Sequence, residues 1–308
     1  MPGSDPRLST QSYSVALALL LASAVAVAIM PNGSKFAMLG GANPQTLLII
    51  RTGTGVMIFG AILMARSRGF RIPRGHLPLL LAAGVSSALM NYAIVSAILT
   101  IDVSLAVLIL FVHPFFVVLY FGWKHGETIT TQRLLWSFLA FAGLSLALAV
   151  DFAMLDWVGV AFAVASAILC AIMVVCKVRA NQALDGATVC FHVSLVGFIM
   201  FAAIALLSDS ISWPKTGLGW SGAVGAGLAF SAAYFTWLLA AKIIGASRAS
   251  LLSFIEPIAA ILLAALLLGE RLTMLQWCGV AMVATGLFLL EALPGRSRAA
   301  VTHAAAPP

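Results

Sequence analysis

Apolar runs recur roughly every 30 residues along the chain, and each is long enough to cross a bilayer as a helix of roughly 20 residues. They predict helices near 14–39, 46–65, 77–98, 103–123, 132–150, 156–178, 187–207, 217–242, 247–268 and 273–292. Turn and charge signals separate them: Asn43-Pro44, the arginines from Arg66 to Arg74, Asp102, His125-Gly126-Glu127, Asp151 to Asp156, Asn181 to Gly186, Ser208 to Pro214, Ser247-Arg248 and Gly269-Glu270-Arg271. The stretch from Pro294 onward is rich in Ala, Pro and Ser and is expected to be a disordered tail. The pattern predicts an all-α integral membrane protein with ten transmembrane helices.

Composition supports this reading. Hydrophobic residues make up 62% of the 308 residues and charged residues 9%, against about 25% charged in a soluble domain. So few charges could not cover a soluble core, whereas lipid needs no polar surface. The net charge of +7 does not point to nucleic acid, because the basic residues lie in short loops between apolar runs, as topology signals do. Most of them fall on one side of an alternating ten-helix chain, which predicts an inner (plasma) membrane protein with both termini in the cytoplasm. Lys35, Arg51, Lys215 and Arg271 fall toward the other side. Arg7 ahead of the apolar run Val15 to Met30 resembles a secretory signal, but that run has a counterpart later in the chain and is expected to be retained. Cys170, Cys176, Cys190 and Cys278 all lie in apolar segments and form no C-x-x-C pair, so they read as small hydrophobes.

The chain repeats itself. His113-Pro114 stands twelve residues before Gly126-Glu127, and Glu256-Pro257 stands twelve residues before Gly269-Glu270. An offset of 143 residues relates these and also pairs Gly84 with Gly227, Ser104 with Ser247, Thr130 with Thr273 and Gly143 with Gly286. An offset of 142 pairs Lys35 with Lys177 and Thr46 with Thr188. Each copy holds five helices, residues 14–150 and 156–292, flanked by flexible cytoplasmic tails 1–13 and 293–308. An odd number of spans turns the second copy upside down, so the expected architecture is two inverted five-helix repeats, as secondary transporters use.

At Phe254-Ile255-Glu256-Pro257, followed by Leu267-Leu268-Gly269-Glu270-Arg271-Leu272-Thr273 and then Gly279 and Gly286, the sequence resembles the drug/metabolite transporter superfamily, more narrowly its EamA-type ten-helix carriers. The resemblance covers roughly residues 14–292, and Arg51 resembles an arginine often carried in the second helix. The first-half copy is weaker, with His113 where Glu256 stands. The first helix has Met30-Pro31-Asn32-Gly33 where the family often has Trp-Gly. The resemblance implies a secondary carrier. Such families commonly export amino acids and other small metabolites, and some members import.

Ionisable groups inside the membrane mark candidate chemistry. His113 and Glu256 stand about ten residues into their helices, near the bilayer midplane, each before a proline that disturbs the carbonyl four residues earlier, at Leu110 and Ser253. They are candidates for binding solute or a coupling proton. Asn91 (with Tyr92), Tyr234 and Trp237 are mid-helix and could wall a site for an amphipathic solute. Pro31-Asn32-Gly33 is expected to break the first helix, which would place Asn32 and Lys35 at an outer mouth. Against these stand plainer roles. Lys35 and Lys177 can snorkel to headgroups, Arg51 can bond helix ends, His192 can make an interhelical hydrogen bond, and Gly126-Glu127 and Gly269-Glu270 can fix helix ends.

No G-x-S-x-G, H-E-x-x-H, P-loop or acidic metal cluster is present, so no enzyme, cofactor or metal is implied. The expected partners are a small-molecule solute, the lipid bilayer and a candidate coupling proton, with no nucleic acid. The expected function is export of small metabolites such as amino acids or related amphipathic solutes. The competing readings are an uptake permease of the same fold, a structural membrane subunit and a membrane-embedded enzyme.

Overall fold

The computed structural model describes residues 10–67, 70–125, 130–150, 155–208, 211–268 and 271–292. The Gly126-Glu127 and Gly269-Glu270 pairs lie outside them. The described chain folds into helices joined by short connections, with no strand among the described residues. The first half comprises α1 (Thr10–Leu39), α2 (Pro44–Ala65), α3 (Leu77–Ile98), α4 (Val103–Leu110), α5 (His113–His125) and α6 (Thr131–Ala147). The second comprises α7 (Trp157–Ala183), α8 (Gly186–Leu207), α9 (Gly217–Ile244), α10 (Ala246–Leu252), α11 (Ile255–Leu268) and α12 (Met274–Ala292). A single 3₁₀ turn, Arg74–His76, precedes α3.

Polar caps mark where helices leave the apolar layer. Asn43 accepts from Thr46 N at 2.8 Å, Asp102 from Ser104 N at 2.8 Å and Asp156 from Val158 N at 2.7 Å. Among the described residues, nine helical stretches are long and apolar enough to cross a membrane, two of them the broken pairs α4–α5 and α10–α11. The tenth, α6, has 17 residues, the lower end of a spanning length, and packs along α12. Its carboxyl end is set by Ala149, whose φ of 48° lies in the left-handed region and turns the chain out of the helix. Large apolar side chains such as Leu21, Met57, Leu119 and Ile199 point outward, as lipid requires. Trp123 and Trp157 stand exposed at helix ends, where interfacial aromatics belong.

Two departures from the predicted helices bear on function. The fourth and ninth predicted helices are each two pieces, broken at Phe111-Val112 and at Ser253-Phe254, just ahead of Pro114 and Pro257. Conversely, α1 runs unbroken through Pro31. The expected break there is corrected by the packing of α1 on α9. A methyl on Gly33 would meet Gly222 O at 2.8 Å, and one on Gly40 would meet Gly219 Cα at 2.5 Å. So close a seam holds the helix on both sides of the proline, and opening it in lipid would strand more backbone groups.

The halves obey a pseudo-two-fold at the level of single contacts. A methyl on Gly84 would meet Val196 Cβ at 2.5 Å, and one on Gly227 would meet Thr54 Oγ1 at 2.6 Å. Gly84 and Gly227 are 143 residues apart, and Thr54 and Val196 are 142 apart, so each contact is the image of the other. Gly143 abuts Gly279 O and Val283 N, while Gly286 abuts Trp136 O and Ala140 N, again images at the 143-residue offset. Likewise α1 packs on α9 as α7 packs on α3, and α2 crosses α8 as α6 crosses α12. The helices end alternately on two faces, which are named here for Asn43 and for Arg66.

Candidate functional site

The two helix breaks meet on the pseudo-axis. Phe111 and Phe254, images of each other, bring their rings to 6.3 Å, and Phe254 is fully buried. Phe115 and Phe141 close around Phe254 at 5.9 and 6.2 Å. Toward the Arg66 face, α5 packs against α10; toward the Asn43 face, the image pair α4 and α11 makes no comparable contact. The two broken helices thus cross at the phenylalanines, drawn together on one side only.

Beside this crossing lies a narrow buried cavity of about 20 Å³, room for a water rather than a solute. Thr52 of α2, Ser87 of α3, Ser194 of α8 and Ser231 of α9 line it with hydroxyls, and Lys177 of α7 enters it with Tyr234 of α9. Lys177 is 4% exposed, and its Nζ lies 3.8 Å from the centre of the Tyr234 ring. This corrects the snorkelling reading. The helix continues past Lys177 to Ala183, and Cys170, Val174, Lys177 and Asn181, spaced four, three and four, form one buried stripe. Asn181 fixes the stripe on α9 by donating from Nδ2 to Leu238 O at 3.3 Å.

A second cation joins it. Arg51 of α2 stacks its guanidinium 4.3 Å from the centre of the Phe230 ring, and the Phe230 and Tyr234 rings are 4.4 Å apart. The order along the site is therefore cation, ring, ring, cation. The buried Nε of Arg51 has no hydrogen-bond partner. A charge at the bilayer centre costs on the order of 3 kcal/mol on insertion scales, and a desolvated cation–ring contact returns about 2 kcal/mol. The rings therefore offset much of the cost without neutralising either charge.

The predicted site residues are only partly gathered here. Tyr234 lines the cavity. Trp237, one turn further on, donates from Nε1 to Ser253 Oγ at 2.8 Å. Glu256, near the start of α11, lies close to Ser23, Ser253 and Tyr234. Asn91 donates to Ser87 O at 2.8 Å, one turn from the cavity wall, while its neighbour Tyr92 is 62% exposed and faces lipid. His113 does not line the cavity. Its Nδ1 donates to Leu110 O at 3.0 Å, the carbonyl that Pro114 leaves without a helical partner. Asn32 reaches back to Ala28 O at 3.4 Å, and Lys35 is exposed; neither approaches the cavity. His192 bonds Thr188 O of its own helix at 2.8 Å, not a neighbouring helix. The sequence reading missed Lys177, although the buried stripe carried the signal, and it could not see that Arg51 meets Phe230.

A larger groove of about 600 Å³ opens between α1, α11 and α12, lined by Val25, Leu262, Leu266 and Trp277. Its walls are Val, Ala, Leu and Trp side chains, and it faces lipid.

Ten membrane helices in two inverted copies, closing on a buried polar cavity beside broken helices, define a membrane solute transporter. The profile of the EamA-like transporter family matches residues 14–149 and again residues 157–291, and the chain belongs to that family. It is 38% identical over 92 residues to the "Uncharacterized transporter YwfM" of Bacillus subtilis (strain 168), a match spanning 29% of this chain and 31% of that protein. A solved crystal structure superposes on 90% of this chain and 96% of its own with a TM-score of 0.78 at 19% identity, a likeness of fold.

Proposed function

We propose that the protein is a secondary carrier that exports small metabolites, such as amino acids or related amphipathic solutes, by alternating access about the Lys177–Tyr234 cavity. The observation that carries this reading is the broken symmetry at the crossing: α5 and α10 are packed while their images α4 and α11 are not. Exchanging the two conditions would open the cavity to the opposite face, as rocking of inverted repeats requires. Repeats 14–150 and 156–292 are the rocking halves in this scheme.

Among the described residues, the Arg66 face carries Arg66, Arg71, Arg74, Lys124, Arg133, Arg179, Lys242 and Arg248, against Lys35, Lys215 and Arg271 on the other. Eight against three supports an inner-membrane protein with both termini in the cytoplasm. Glu256 is the proposed coupling group. The Ser23 hydroxyl donates to Ala233 O at 3.1 Å and that of Ser253 to Ala249 O at 3.2 Å, so both neighbouring hydroxyl protons are spent on backbone carbonyls rather than on the carboxyl. That is a place for a carried proton, with no ion pair on Glu256 among the described residues.

The test is counterflow of labelled amino acids, amines, purines and organic acids into liposomes holding the purified protein, paired with efflux from cells expressing it. Movement of at least one unmodified solute supports the carrier. Chemical conversion of solutes, or no flux for any class from a folded protein, would remove it. Net uptake in cells would replace export with the permease reading.

A further inference from the structure

We propose that Arg51 and Lys177 together form a binding site for an oxyanion, a carboxylate or phosphate, and that the transported solute must carry one. The inference rests on the carrier reading and names the chemistry of its cargo.

Two membrane-embedded cations share one aromatic pair, and neither has an acid within ion-pair distance among the described residues. Another arginine, at the head of α10, shows what a structural pairing looks like here. Arg248 grips Glu291 with two bonds, Nε to Oε1 at 2.9 Å and Nη2 to Oε2 at 2.8 Å. Arg51 instead keeps a buried Nε unspent, and Lys177 spends its ammonium on a ring face. Glu256, the membrane-embedded acid near Tyr234, forms no ion pair with Lys177.

The rings hold the cations in place without satisfying their N–H groups, since a π-face contact leaves donors unused. An ammonium in the cavity and a guanidinium on the far side of the same ring pair make this low-dielectric space positive, which suits oxyanion recognition, and Arg in particular presents parallel donors. The hydroxyls of Ser87 and Ser194 are placed to meet the polar remainder of a solute, and Phe59 and Val193 its hydrocarbon part. The cavity is too small for such a solute in this conformation, so binding accompanies opening. Nothing in the two-fold duplicates this pair. The image of Lys177 is the exposed Lys35, and that of Arg51 is Val193.

The experiment uses full-length protein in detergent and measures heat stabilisation by matched sets built on the same aliphatic and aromatic skeletons: carboxylate, carboxamide, amine and phosphate monoester, with inorganic phosphate alone. Stabilisation by carboxylates or phosphates, but not by the amides or amines, is expected. Lys177→Met and Arg51→Met should each weaken it about tenfold or more, and Lys177→Arg should retain most of it. Whichever anionic set binds tighter tells carboxylate from phosphate. If amides or amines bind as well as the acids, or if no anion binds, the proposal falls. Should the Met variants fail to fold, acid against amide on the wild type still decides. Flux separates the two readings. Neutral or cationic solutes moving without anion binding overturns this site and leaves the carrier, while anions that bind and never cross overturns the carrier and leaves the site.

Discussion

The seam between α6 and α12 offers a quantitative test of the two-fold. A methyl at Gly143 would sit 2.7 Å from Met282 Cβ and 2.8 Å from Gly279 O and Val283 N. At Gly286 it would sit 2.8 Å from Trp136 O and 2.9 Å from Ala140 N. The obstacles include backbone atoms at both sites, so the helices must part by about 0.6 Å to restore van der Waals distance, forfeiting a quarter to half of each neighbouring dispersion contact. Overpacking of this kind costs about 1–3 kcal/mol, and replacing glycine by alanine in a helix returns about 0.5–1 kcal/mol. The difference is about 0–2.5 kcal/mol, and clashes under 3.0 Å with backbone put the destabilisation by Gly143→Ala and Gly286→Ala toward its middle, at about 1–2 kcal/mol each and, the two being images, at similar values. One separation of the helices relieves both clashes, so the double variant should cost about 1 kcal/mol less than the sum. Gly225→Ala, with open space around its added methyl, is the control and should be neutral or slightly stabilising. Equilibrium unfolding in mixed micelles, followed by tryptophan fluorescence, reads all four. A neutral single variant, or strict additivity in the double, would refute the shared-seam reasoning.

Further predictions concern the polar groups. Arg248→Ala removes both bonds to Glu291 and the contact 4.9 Å from the Tyr13 ring, leaving a half-buried carboxylate; stability in micelles should fall by about 2 kcal/mol, and Glu291→Gln should recover part of that loss. His113→Ala leaves Leu110 O without a partner in the membrane, so thermal stability should drop by about 1–3 kcal/mol while flux per folded molecule is kept. Lost flux at normal stability would return His113 to the transport path. Glu256→Gln keeps shape and polarity but cannot release a proton; it should fold normally and lose the pH dependence of flux in liposomes. An unchanged pH profile would end the coupling proposal for that residue.

Much of the scaffold was legible because in lipid the length of an apolar run is itself the structural signal, and the ten predicted spans fall close to the observed ones. Local geometry was harder. Pro31 reads as a break in isolation, yet the Gly33–Gly222 and Gly40–Gly219 contacts, made to a helix nearly two hundred residues away, keep α1 whole. Lys177 was placed at a helix end because the apolar run fades at 178, but Asn181 carries the helix another turn by bonding α9. Asn91 and Tyr92 are adjacent and equally deep; only the rotation of α3 turns one toward the cavity wall and the other into lipid. The Arg51–Phe230 stack joins residues from different repeats that are not images of each other, so no internal pattern could reveal it.

That last point separates scaffold from site. The contacts that obey the two-fold are packing contacts: those of the images Gly84 and Gly227, those of the images Gly143 and Gly286, and the Phe111–Phe254 pair on the axis. The groups with chemistry all break it. Tyr234 answers to Asn91, Phe230 to Ser87, Glu256 to His113, Lys177 to the exposed Lys35, and Arg51 to Val193. An inverted scaffold gains from symmetry, since two conformations related by the two-fold are close in energy and a modest bias moves the population between them. A small solute has no two-fold of its own, and a symmetric site would hold it in two opposed poses at half the specificity. Retaining duplicate packing while letting one copy of each polar position diverge meets both demands. It also accounts for the placement of both cations, one from each repeat, on the faces of a single aromatic pair contributed by one helix, α9.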